Sequence, residues 1–180
     1  MTDRPVLTTA KLVLRPAVEA DADALHAIYA DEVAMRWWSH GPLSAVEESR
    51  AKVRQALAAT DWRMWAITLV GDDTAIGTLN AHAKRQGGVA EIGYSLTRAH
   101  WGNGLAREAV TALLDQLFAE GNRRVFADTD PDNAASNRLL ETLGFTLEGR
   151  LRGEWETHIG VRDSLIWGLL REEWRLASAR

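Results

Sequence analysis

The chain has 180 residues, 46% of them apolar, which suits one compact domain with its own core. A net charge of −4 argues against a duplex-binding surface, so no DNA partner is expected, and it favours a cationic acceptor. There is no cysteine, which excludes disulfides, thiol catalysis and thiolate metal sites. No apolar run approaches the ~20 residues of a membrane span and no signal-peptide core is present, so a cytoplasmic protein without a membrane partner is expected.

In chain order, residues 1–9 read as a lead-in and Leu12–Arg15 as the first strand, which Pro16 ends. Asp21–Ala30 reads as a helix, because Leu25, Ile28 and Tyr29 share a face. Met35–Pro42 has no period and reads as a loop. Ser44-Ala45-Val46-Glu47 reads as a capping box opening a helix to about Ala59, with Val46, Val53 and Leu57 inward. Trp62–Val70 and Thr74–Ala83 predict a hairpin around Gly71-Asp72-Asp73. Gln86-Gly87-Gly88 turns the chain into a central strand, in which Ile92, Tyr94 and Leu96 alternate with Glu91, Gly93 and Ser95.

A two-glycine loop follows, and then a helix over Leu105–Glu120. Its apolar stripe is Leu105, Ala109, Val110, Leu113, Leu114, Leu117 and Phe118. Arg124–Asp128 reads as a strand parallel to the central one. Asn133–Leu143 reads as a helix with Ala135, Leu139 and Leu143 inward. Phe145–Leu151 and Ser164–Arg171 read as the last two strands, with Gly153–Arg162 linking them. The fold class is therefore α/β in the α+β mixed sense. It is a mostly antiparallel sheet of about six or seven strands, with one central parallel pair and about four helices on both faces.

Strand, glycine loop and helix start in that order make an anion site. First-turn amides lack partners, the helix dipole is positive there, and glycine lets a phosphate approach. The loop fits two known phosphate motifs badly. A Walker loop needs Lys-Ser/Thr where Leu105-Ala106 stands, and the dinucleotide fingerprint needs a third glycine where Arg107 stands.

Trp101-Gly102-Asn103-Gly104-Leu105-Ala106 resembles the acetyl-CoA loop of the GNAT N-acetyltransferases, Arg/Gln-x-x-Gly-x-Gly/Ala. Trp101 stands where most members carry Arg or Gln, a departure similar to the RimJ/RimL-like branch that acetylates ribosomal-protein N-termini. Leu12-Val13-Leu14-Arg15-Pro16, Glu91-Ile92-Gly93-Tyr94, Asn133-x-x-Ser136-Asn137, Leu143-Gly144-Phe145 and Glu172-Glu173-Trp174 agree with that branch in order and spacing. The resemblance implies one N-acetyltransferase domain over residues 7–174, with 1–6 and 175–180 as extensions. It implies a GNAT fold whose parallel pair splays to admit the pantetheine arm. It also implies acetyl-CoA as co-substrate, no metal, and an amine acceptor at a protein N-terminus or on a small molecule. Coenzyme contacts would come from Tyr94, Ser95, Leu96, the loop Trp101–Ala106 (Trp101, Gly102, Asn103, Gly104, Leu105, Ala106), Asn133 and Asn137. The assembly is left open, a homodimer among the options.

Amide formation from a thioester needs a neutral amine, a held carbonyl and a proton for the leaving sulfur. An α-amine, with a pKa of about 7.7–8.0, asks less of a base than a lysine at about 10.4. Glu91 on the central strand and Glu154 in the late segment are the candidate bases, each against the reading of a paired or solvated acid. Glu148 reads as structural, and His40 and His158 as polar loop residues, with contact to substrate the lesser alternative. The tyrosine that many members place four residues before the glycine of Leu-Gly-Phe is here Leu140. Ser136, one turn earlier on the same face, is the candidate proton donor, against a hydroxyl that merely bonds backbone. Of eight tryptophans, Trp37, Trp38 and Trp155 flank the expected acceptor pocket, while Trp62, Trp65 and Trp167 read as core. A small-molecule amine acetyltransferase and a non-catalytic acyl-CoA-binding domain remain the alternatives.

Overall fold

The structure is a computed structural model that describes residues 4–83 and 87–178, with side chains through Trp174. The strands are β1 (Leu7–Thr8), β2 (Leu12–Pro16), β3 (Trp62–Leu69), β4 (Asp72–Ala83), β5 (Val89–Leu96), β6 (Arg124–Thr129), β7 (Thr146–Thr157) and β8 (Gly160–Leu170). The helices are α1 (Ala22–Tyr29), α2 (Glu32–Met35), α3 (Val46–Ala58), α4 (Leu105–Ala119), α5 (Ala134–Thr142) and α6 (Arg171–Ser178). One eight-stranded sheet runs in the order β1-β2-β3-β4-β5-β6-β8-β7, and only β5 and β6 are parallel.

Strand alternation sorts side chains onto two cores. In β3, Trp65 and Ile67 face the cluster under α4, while Met64 and Ala66 face the cluster under α1 and α3. Burial on both faces explains why β3 reads as a nearly unbroken apolar run. All seven residues of the expected α4 stripe are buried, and each large one contributes roughly 1.5–3 kcal/mol of transfer free energy. In α5 the buried residue is Leu140, with Leu143 just beyond the helix, and the expected Ala135 is exposed. Leu140 faces the core and not the gap, so the site lost to leucine has become packing.

Several elements differ from the sequence reading. The capping box is shifted by one residue: Ala45 is the cap, and the Glu48 carboxylate takes the Ser44 and Ala45 amides at 2.8 and 3.0 Å. The short β1 and α2 are additional, since neither is long enough to show a period. Gly153–Arg162 is not a linker, because β7 and β8 extend through it to a tight turn at His158-Ile159. It is an edge hairpin exposed along most of its length, so no apolar alternation marked it. The last strand ends at Leu170, and Arg171–Ser178 is helical. The Trp174 indole donates to Asp115 of α4 at 2.7 Å. Gln86 of the expected turn and residues 1–3 of the lead-in lie outside the described residues.

The feature that positions the site is where the parallel ladder stops. β5 and β6 pair from Val89↔Arg124 to Glu91↔Phe126 and no further. Beyond that, β5 stays paired to β4 as far as Leu96↔Gly77, and β6 stays paired to β8 as far as Thr129↔Leu165. Each strand is thus held on its outer edge while the inner edges part. α4 and α5 begin at the carboxyl ends of these two strands, where open α/β sheets take their ligands. Among the described residues no helix is long and apolar enough to cross a membrane.

Candidate active site

Two clefts meet in the gap. The first, about 570 Å³, lies against the head of α4. Gly102 and Gly104 have φ of +77° and +76°, a region unfavourable to any side chain, and nothing lies within 4 Å of a Cβ built on either. The first helical bond runs from the Glu108 amide to the Gly104 carbonyl at 3.1 Å, and no side chain caps this end. The amides of Leu105, Ala106 and Arg107 precede that bond, so they face the cleft with the positive end of a 15-residue helix behind them. Arg36, His100 and Arg107 line this cleft, and no acid does among the described residues. Trp101 is half exposed, and its indole ties the loop to the end of β5 by donating to the Leu96 carbonyl at 2.8 Å. Ser95 and Leu96 line the same space, the Ser95 hydroxyl lying 2.9 Å from that of Thr78. Asn103, at the loop apex, is exposed and does not line the cleft.

The second cleft, about 270 Å³, opens on the other side of the gap, and the two share Trp37, Trp38, Tyr94, Asn133 and Ser136. At the junction the Tyr94 and Ser136 hydroxyls are 2.6 Å apart. Burial pushes the Tyr94 hydroxyl up to about 12, so it stays protonated near neutrality. Asn133 caps α5 by accepting from the Ser136 amide at 3.3 Å, so it combines the capping role with a place on the cleft wall. Asn137 lines neither cleft. Its carbonyl accepts from Thr129 at 2.5 Å and from Trp167 at 3.2 Å, and its NH₂ donates to the carbonyls of Asp130 and Pro131, both at 3.2 Å.

The second cleft is acidic: among the described residues Glu91, Asp128, Asp130 and Asp163 line it against one cation, Arg162. Asp130 is held by Arg162 at 2.8 and 2.9 Å, and Asp163 by Arg150 at 2.7 Å. Arg162 also reaches Asp132 at 2.5 Å and stands 5.7 Å from the Trp37 ring centroid. Asp128 differs from both. Its partners are neutral, the Trp155 indole at 3.1 Å and the Ser164 hydroxyl. Burial holds its carboxyl above the usual carboxylate range, and the charges of Glu91 and Glu154 push the same way.

The remaining sequence candidates fall outside the cleft. Glu154 is exposed on β7, and its charge is felt at Asp128. His40 donates to the Gly41 carbonyl at 2.8 Å, and the His158 ring packs over Gly41. Glu148 forms a two-pronged ion pair with Arg124. Trp65 and Trp167 are buried, and Trp62 is half-buried against the α1–α3 core. Of the cleft residues that the sequence reading missed, Asp128 and Arg162 bear most on the chemistry. Asp128 had a usable signal, its place at the carboxyl end of the strand after the parallel crossover. Arg162 had none, because it sits in the hairpin read as a linker.

Residues 11–146 match the family profile of the acetyltransferase (GNAT) domain. The chain belongs to the GNAT family. It is an acetyl-CoA-dependent N-acetyltransferase, and the bare amides, flanking cations and long slot at the head of α4 fit the pyrophosphate and arm of that co-substrate. An uncharacterised N-acetyltransferase of Bacillus subtilis, YoaA, is 33% identical over 153 residues, covering 82% of this chain and 86% of that one. The crystal structure of a probable GNAT acetyltransferase from Chromobacterium violaceum superposes with a TM-score of 0.89 at 26% identity, covering 97% of this chain and 90% of that one. RimL, a ribosomal L7/L12 α-N-protein acetyltransferase solved with coenzyme A, shares the fold at a TM-score of 0.81 and 23% identity, covering 92% of this chain and 98% of that one. The GNAT fold expected from the loop and its flanking motifs is thus present, with eight strands and six α-helices among the described residues.

Proposed function

We propose that this GNAT enzyme acetylates a protein or peptide N-terminal α-amine by direct attack on the thioester. The observation that carries this reading is the pair of clefts of opposite charge that meet at Tyr94 and Ser136. The cationic cleft suits a polyanionic coenzyme. The acidic one gathers ammonium groups. An α-amine is already substantially neutral near pH 7–8, at a pKa of about 7.7–8.0, so a weakly basic carboxylate serves it where it fails a lysine. RimL's activity on a protein N-terminus supports the choice as a likeness of fold.

Within this reading the amides of Gly102–Ala106 grip the pyrophosphate, with Trp101 bracing the loop and Asn103 at its apex. Tyr94, Ser95, Leu96 and Asn133 line the arm's path. Ser136 donates a proton to the departing sulfur and Tyr94 replenishes it through their 2.6 Å contact. Trp37, Trp38 and Trp155 wall the acceptor. The carboxylates, Glu91 on β5 foremost and Glu154 on the rim strand, attract the ammonium, and a cleft carboxylate takes up its proton.

The acceptor cleft is small, about 270 Å³, which favours a second reading in which the acceptor is a small free amine. The deciding experiment measures thiol release from acetyl-CoA with a Ser-Ala-Ala peptide amide, Nα-acetyl-lysine amide and spermidine. Turnover of the seryl peptide above the others is expected. Turnover of spermidine alone moves the assignment to small amines. Saturable coenzyme binding with no thiol release for any acceptor overturns the enzyme.

A further inference from the structure

We infer that Asp128 is the group that accepts the proton of the attacking amine, aimed for that task by the Trp155 indole and the Ser164 hydroxyl. The inference rests on reading the acidic cleft as the amine site. It stands on placement first. Asp128 lies on β6 beyond the last pair of the parallel ladder, Glu91↔Phe126, where the strands have parted and the edge is open. It lines the same cleft as Tyr94 and Ser136. The proton acceptor and the proton donor thus share one space, but they stand on different elements, β6 and α5.

The chemistry of its surroundings singles it out. Asp130 and Asp163 are committed to Arg162 and Arg150, and an arginine partner makes a carboxylate a poor base. Among the described residues no Lys or Arg pairs with Asp128. Each of its oxygens takes one neutral donor: Oδ1 the Ser164 hydroxyl, Oδ2 the Trp155 indole at 3.1 Å. An ionised carboxylate has about four acceptor positions, so the two donors fix the plane of the group and leave positions for a third. The groups facing it are Glu91 from β5, Glu154 and Trp155 from β7, and Ser164 from β8. Burial and the two glutamates all act to raise its affinity for a proton. Trp155 is half exposed and occupies a wall of the amine cleft while holding the base, a role that explains a large aromatic on an exposed edge strand.

The step balances as follows. The nitrogen–carbon bond forms and the carbon–sulfur bond breaks. One proton passes from nitrogen to the Asp128 carboxylate, and one passes from the Ser136 hydroxyl to sulfur. Ser136 recovers its proton from Tyr94, Tyr94 is reprotonated from solvent, and Asp128 releases its own proton to solvent, so the enzyme returns to its starting state.

The test uses the full-length enzyme with the acceptor panel above. Asp128→Asn is expected to lower kcat by about 100-fold or more, keep the KM for acetyl-CoA, and abolish the acid limb of the kcat/KM profile. Trp155→Phe and Ser164→Ala each remove a donor to the ionised form, so each is expected to move that limb to higher pH. A merely structural role would lower the rate and leave the limb where it was. Wild-type rate and an intact acid limb in Asp128→Asn overturn the inference. Carbon-13 NMR of the aspartate carboxyls in the wild-type enzyme provides a second readout, independent of how the variants fold. A midpoint for Asp128 in the ordinary range, about 3.9, also overturns it. Should no amine in the panel be acetylated, the proposed function fails by itself. The carboxyl titration then decides the fate of Asp128 separately, together with calorimetric binding of the seryl peptide amide. Equal binding by the wild type and Asp128→Asn counts against it.

Discussion

At the head of α4 the chain presents bare amides, with Gly104 at φ +76° and no capping side chain, while at the head of α5 the Asn133 carboxamide accepts from the Ser136 amide at 3.3 Å. The two helices start within one gap and solve the same problem of orphan donors in opposite ways. A missing cap costs a helix roughly 0.5–2 kcal/mol, and α4 tolerates that because its buried stripe holds it down. α5 is shorter and is capped from within, so its start is rigid and can aim Ser136 at Tyr94. The charges follow the same division. Arg36 and Arg107 line the cleft at the head of α4, and Glu91, Asp128, Asp130 and Asp163 line the other. One half of the site is made by backbone conformation, the other by side chains brought from four strands and a helix.

The largest expected effect breaks the backbone half alone. Gly104→Glu places a side chain in the left-handed region, where a non-glycine residue costs about 1–3 kcal/mol, and sets a carboxylate at the positive end of α4. Coenzyme binding by calorimetry should disappear while the circular dichroism spectrum and a cooperative melt remain. Retained affinity would remove the anion site from the head of α4. Next in size, Ser136→Ala should lower kcat by about 100-fold with the KM for acetyl-CoA unchanged, and Tyr94→Phe by less, because Ser136 survives it. Equal effects from the two would mean that Tyr94 itself is the donor, and an unchanged rate in Ser136→Ala would remove the role altogether.

The contrast also explains what the sequence revealed. The α4 stripe, the glycines of the loop and the alternation of β5 are local patterns set by period and by φ, so they are readable residue by residue. The acceptor half depends on residues distant in the chain. Asp128 and Trp155 meet only because β8 lies between β6 and β7, a pairing no local pattern announces. Both strands of the β7–β8 hairpin were read, but their extension through Gly153–Arg162 was hidden because an exposed edge needs no apolar alternation, and Arg162 was hidden with it. Glu91 was found because the central strand was found. The family resemblance implied that Asn137 touches the coenzyme, but it lies one residue from Ser136, and one residue turns a helical side chain by about 100°, here toward Trp167 and the β6–α5 corner.

That rotation makes Asn137 a probe of the boundary between site and scaffold. Asn137→Ala removes the partners of the Pro131 carbonyl and the Thr129 hydroxyl, while the Asp130 carbonyl keeps the Asn133 amide and the Trp167 indole keeps Thr129, so a loss of about 1–3 kcal/mol in chemical denaturation is expected, with an unchanged KM for acetyl-CoA. A raised KM in a protein of undiminished stability would return the residue to the coenzyme site.

The smallest expected effect tests the acidic half most sharply, because it reads the field and not a contact. Both Glu91 and Glu154 raise the proton affinity of Asp128, the Glu91 contribution being the larger. Neutralising either should therefore lower the pKa of Asp128, and since the ionised form is the active one, the acid limb of the kcat/KM profile should move to lower pH. Glu91→Gln should shift it further than Glu154→Gln. Glu154 is exposed on β7, so 0.5 M salt should shrink its shift more than that of Glu91, which lines the cleft. Were Glu154 the base, its amide variant would lose the limb instead of sliding it, and Glu91→Gln losing the limb would give the role to the central strand. A limb that slides in both glutamate variants and vanishes in Asp128→Asn leaves a single carboxylate responsible, with its neighbours acting through charge alone.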